Sequence, residues 1–73
     1  MSDKVLELII NLASEGYDVR FLDFYGNAIE IRVCRNNLKA ARVLSIDEIR
    51  QSKFDVIYYA INRLVEVVNG HFV

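Results

Sequence analysis

The chain has no proline and no tryptophan, and only one cysteine, one histidine and three glycines in 73 residues. Each shortage removes a class of explanation. One thiol cannot close an internal disulfide, and there is no cluster of Cys and His to hold zinc. No glycine-rich phosphate loop and no metal-ligand spacing can be written. Without linkers, repeats or low-complexity tracts, the sequence predicts one domain over residues 1–73. No apolar run approaches the roughly 20 residues that span a bilayer. With a single thiol and no signal peptide, the expectation is a reducing, cytoplasmic setting and no membrane partner. Charge of one sign is missing as well. Nine basic and ten acidic groups nearly cancel to a net charge of −1, so neither the basic stripe that draws in nucleic acid nor the acidity of a DNA mimic is present. Nucleic acid is therefore not an expected partner.

What the chain has is apolar surface. Hydrophobic residues make up 53%, above the roughly 45–50% of ordinary domains. A chain this short buries only about 60% of what its unfolded state exposes. A rich core, or a core plus a self-association surface, is the expected compensation.

Local patterning predicts the elements. Ser2 caps a helix that runs to Ser14 and stops at Gly16, with Val5, Leu6, Leu8, Ile9, Ile10 and Leu12 in an apolar arc. Tyr17 to Phe24 alternates as a strand, Tyr25-Gly26-Asn27 is a turn, and Ala28 to Cys34 alternates again with Ile29, Ile31 and Val33 inward. Arg35-Asn36-Asn37 is the next turn, and its length sets the register of a third strand, Leu38 to Leu44. A two-residue loop sets Arg42 opposite Ile31 on the core face. A three-residue loop sets Ala41 there and Arg42 opposite Glu30, in a cross-strand ion pair. The second conflicts less with burial and is the expectation. Ser45-x-x-Glu48 and Ser52-x-x-Asp55 are two helix starts in succession, predicting a short helical turn over Ile46–Arg50, a break, and a long helix from Lys53 to Asn69 closed by Gly70. The order predicts an α+β fold of type αβββα, with a three-stranded antiparallel meander and both helices on one sheet face.

Reactive groups are sparse. His71 lies past the last glycine, Cys34 has no histidine beside it in sequence, and Asp47 and Glu48 suit a helix start better than acid–base work. No catalytic residue, cofactor or metal is expected, and the chain reads as a non-enzyme. The sheet face left without a helix is the functional candidate. Arg20, Leu22, Phe24, Arg32 and Arg42 are placed there, an Arg and aromatic mixture of the kind interfaces favour. The bland alternative is a solvated face whose arginines pair with Asp18 and Glu30. Tyr59 falls on the exposed wedge of the long helix as a further contact residue. Val56, Ala60, Arg63 and Val67 form a second stripe on that helix, suited to a homodimer. Two functions follow: a binding protein that blocks a partner protein through the open face, or an oligomer that sequesters a small anionic or nucleotide ligand between subunits. A structural accessory subunit is the third reading.

The run Ser45-Ile46-Asp47-Glu48-Ile49, then Ser52-Lys53-Phe54-Asp55-Val56-Ile57-Tyr58-Tyr59-Ala60, resembles a phrase of short, mostly uncharacterised bacteriophage proteins. They share the opening helix, a Gly-Tyr entry into strand one and an S-x-x-E-I step into the closing helix. The layout is also similar to small phage anti-CRISPR proteins of the Cas9-inhibitor type. Those look strongly acidic, and this chain is nearly neutral. The resemblance implies a phage-encoded inhibitor in the host cytoplasm, acting on a host defence protein.

Overall fold

The computed structural model describes residues 3–70. In chain order it holds helix α1 (Asp3–Ser14), strands β1 (Asp18–Phe24), β2 (Ala28–Arg35) and β3 (Leu38–Ser45), a short helix α2 (Ile46–Gln51) and a long helix α3 (Asp55–Val68). The strands form one open antiparallel sheet in the order β1-β2-β3, giving the α+β, αβββα arrangement that the patterning predicts. The cap expected at Ser2 lies outside the described residues, as does His71.

The helix ends follow backbone chemistry. At the end of α1, the Tyr17 N–H returns to the Leu12 carbonyl at 3.0 Å and the Gly16 N–H to the Ala13 carbonyl at 3.2 Å. This is a Schellman closure, and it needs positive φ at Gly16, which sits at 92°. Helix α2 closes in the same way without a glycine. The Phe54 N–H reaches the Ile49 carbonyl at 3.0 Å, the Lys53 N–H reaches the Arg50 carbonyl at 3.2 Å, and Lys53 takes the left-handed position at φ 53°. Ser45 caps α2 by accepting the Glu48 N–H at 3.1 Å. The cap expected of Ser52 takes a different form, because α3 starts after Phe54 at φ 72°. The Ser52 hydroxyl donates to the Ile49 carbonyl at 3.1 Å and accepts the Val56 N–H at 3.2 Å, joining the two helices through one oxygen.

The hairpin between β2 and β3 corrects the expected register. Only Asn36 and Asn37 form the loop, at φ 51° and 69°, the pair of left-handed residues that a two-residue type I′ turn requires. Arg35 pairs with Leu38, Ile31 with Arg42, and Glu30 with Val43. The burial objection to this register fails because β3 is an edge strand. A long cationic side chain there keeps its head in water, and Arg42 is exposed.

That register puts Ile31, Val33 and Leu44, all fully buried, on one sheet face. They join a single cluster with Val5 and Leu12 of α1 and with Ile57, Ala60, Ile61, Leu64 and Val68 of α3. Helix α1 lies over β1, α3 over β2 and β3, and α2 against α3 and β3. A polar tie closes one end of the core. The Tyr17 hydroxyl accepts from Arg35 Nη1 at 2.9 Å and Asn69 Nδ2 at 2.8 Å, and donates to Asn69 Oδ1 at 3.1 Å. The Arg35 guanidinium also stacks 4.7 Å from the Tyr17 ring centroid.

Candidate interaction surface

Residues paired across an antiparallel ladder share a face, so the pairings draw the reverse face of the sheet as four rows. The first row is Asp18, Cys34 and Lys39; the second is Arg20, Arg32 and Ala41. The third is Leu22, Glu30 and Val43; the fourth is Phe24, Ala28 and Ser45. Asp18, Arg20, Arg32 and Lys39 occupy the first two rows, and the last two are mainly apolar, with Glu30 between Leu22 and Val43. Leu22, Phe24 and Val43 are 36%, 38% and 42% exposed, too open for core residues and too close together for scattered surface ones.

Tyr25 extends the apolar end. It is 89% exposed and its ring meets that of Phe24 edge-on, with centroids 4.7 Å apart. Its backbone is left-handed, φ 57°, an outlier for a bulky side chain. Positions of this kind cluster at functional sites.

Among the described residues, the two arginines of the second row are each compensated, while Lys39 of the first is not. Arg20 stands opposite Arg32, an unfavourable pairing of like charges. Each is answered along its own strand, Arg20 by Asp18 at 2.9 Å and Arg32 by Glu30 at 2.9 Å. The ion pair expected between Arg42 and Glu30 does not form.

Of the six residues expected to contact a partner, Arg20, Leu22, Phe24 and Arg32 come together on this face. Arg42 does not, because the register turns it to the helix side. Tyr59 does not either. It lies on α3, 64% exposed, where Lys4 Nζ sits 5.6 Å from its ring centroid, 4.4 Å from that of Tyr58 and 3.6 Å from an Asp55 carboxylate oxygen. The dimer stripe is also divided. Ala60 is fully buried, Val56 and Val67 are partly covered, and only Arg63 is exposed, tied to Glu66 at 3.1 Å. Helix α3 spends that stripe largely inside its own chain.

Two kinds of residue on this face are not marked by local pattern. Lys39, Ala41 and Val43 lie on the open face, where a three-residue loop would turn them inward, and Tyr25 adds an exposed ring to what its sequence context marks as a turn. The Asn-Asn pair was the available signal for the first.

Elsewhere, a groove of about 460 Å³ between the sheet and the α2–α3 junction is lined by Phe21, Ile29, Ile49, Phe54 and Ile57, with Arg50 as its single charged group. It lacks the convergent polar groups of a specific small-molecule site. Among the described residues no cluster of three or more His, Cys, Asp or Glu could hold a metal, and no helix is long and apolar enough to cross a membrane. No protein-family model matches the chain, and no curated protein or solved structure matches it.

Proposed function

We propose that this is a non-catalytic binding protein that engages a partner protein through the uncovered sheet face. The observation that carries the reading is the patch of Leu22, Phe24 and Val43 beside the strained, exposed Tyr25. A rigid sheet holds these side chains at low conformational-entropy cost, and aromatic and arginine side chains dominate interface energetics. The flanking Arg20 and Arg32, with their carboxylates, suit a polar rim that steers and orients a partner. The resemblance to phage proteins extends the reading to an inhibitor that blocks a host defence protein in the host cytoplasm.

The anionic-ligand reading is weaker on geometry. It requires unpaired arginines that converge, whereas Arg20 and Arg32 are already paired and Arg42 points to the other face.

Replacing Leu22 and Phe24 together by Asp leaves the buried cluster intact, since neither residue belongs to it. Affinity capture from bacterial lysate with the immobilised protein should then lose its specific partner, while Tyr59→Ala retains it. Retention by the double variant, or loss with Tyr59→Ala alone, would contradict the reading.

A further inference from the structure

A second surface, distinct from the sheet face, is built along β3. No described residue is hydrogen-bonded to its outer edge, so alternate backbone N–H and C=O groups over Leu38–Ser45 face outward and unpaired. The strand carries no proline, and its register with β2 runs from end to end without a bulge. Two of the usual blocks to pairing, a proline and a bulge, are therefore absent from it.

Its charge is one-sided. Lys39 and Arg42 point to opposite faces, no acidic residue lies on the strand, and neither cation makes an ion pair among the described residues. Pairing β3 with its own twin would bring like charges together. The other free edge, β1, carries Asp18 and Asp23 against Arg20, and α1 lies over it.

Grooves flank the β3 edge on both faces. On the open side a groove of about 330 Å³ is lined by Glu30, Arg32, Lys39 and Ala41, with Arg32 already paired to Glu30 and Lys39 as its unpaired cation. On the helix side one of about 340 Å³ is lined by Leu38, Val67 and Val68 and is mostly apolar. Side chains of an added strand alternate between faces, so one set would enter each groove.

We propose that β3 accepts an extended peptide segment of a partner as a fourth strand, one that alternates acidic residues, toward the unpaired Lys39, with apolar residues, toward Leu38 and Val67. The main-chain hydrogen bonds supply affinity and the two grooves supply specificity. Both cations guard the edge against self-pairing, and Lys39, on the open face, selects the acidic set of the added strand.

The test uses the 15N-labelled protein and an acetylated octapeptide alternating valine and glutamate. The expected result is amide shifts along Leu38–Ser45 that are absent with the valine–lysine counterpart. The same shifts should vanish when the glutamate peptide is N-methylated at alternate residues on its pairing edge. Lys39→Glu with Arg42→Glu should weaken glutamate-peptide binding at least about tenfold and admit the lysine peptide, with unchanged circular dichroism. Equal binding of both peptides, undiminished binding after N-methylation, or no β3 shift at millimolar peptide overturns the proposal. So does concentration-dependent pairing of β3 with β1 of a second copy in the free protein. The charge-reversed variant leaves Leu22 and Phe24 untouched, so this outcome is separable from that of the sheet face.

Discussion

At the scale of single residues, three closures make the clearest comparison. Gly16 and Gly70 end their helices at φ 92° and 85°, and both stops were legible because glycine enters that region freely. Lys53 does the same work at φ 53° and was not legible, since nothing in a lysine announces a left-handed backbone. A left-handed conformation at a residue with a Cβ costs about 1–2 kcal/mol. Lys53→Gly should therefore raise the urea midpoint, with a gain near 1 kcal/mol after the unfolded-state entropy of glycine is subtracted. An unchanged or lower midpoint would refute the assignment. Tyr25 presents the same strain with a different consequence. Tyr25→Asn should gain up to about 1 kcal/mol in stability while weakening partner capture, because it removes the exposed ring. A variant that loses stability and keeps capture would contradict that division of labour.

At the scale of elements, the sheet shows how a small misreading moves many residues. The strands, their order and the inward residues of β2 followed from alternation alone. The third register did not, because the deciding argument was burial of Arg42 and an edge strand relaxes that argument. One residue of slip then exchanged Val43 for Arg42 on the candidate face. The helix contacts carry two further expectations. Tyr17, just before β1, joins the ends of β2 and α3 through its hydroxyl, a link between residues too far apart in sequence for any local pattern to reveal. Tyr17→Phe leaves Asn69 and Arg35 without that partner and should cost about 1–2 kcal/mol, seen as a lower thermal midpoint. Ala60 is fully buried in the core cluster. Ala60→Leu should destabilise by about 1–3 kcal/mol through overpacking, whereas a free dimer stripe there would tolerate the larger side chain.

At the scale of the whole molecule, the described ion pairs all lie at the surface, where each contributes no more than about 1 kcal/mol. Stability then rests on one apolar cluster between the helices and one sheet face. Moderate salt should leave the unfolding midpoint nearly unchanged, and a steep fall with ionic strength would show that the surface charges matter more. The same division frees the reverse face for binding, since few of its side chains hold the fold together. The most direct measurement is site-specific photo-crosslinking to the captured partner, with a photoreactive side chain installed in turn at Phe24, Val43, Tyr59 and Ile10. Crosslinks from Phe24 and Val43, and none from Tyr59 or Ile10, are the predicted result. Crosslinks from Tyr59 or Ile10 with none from Phe24 and Val43 would place the partner on the helices and contradict the account.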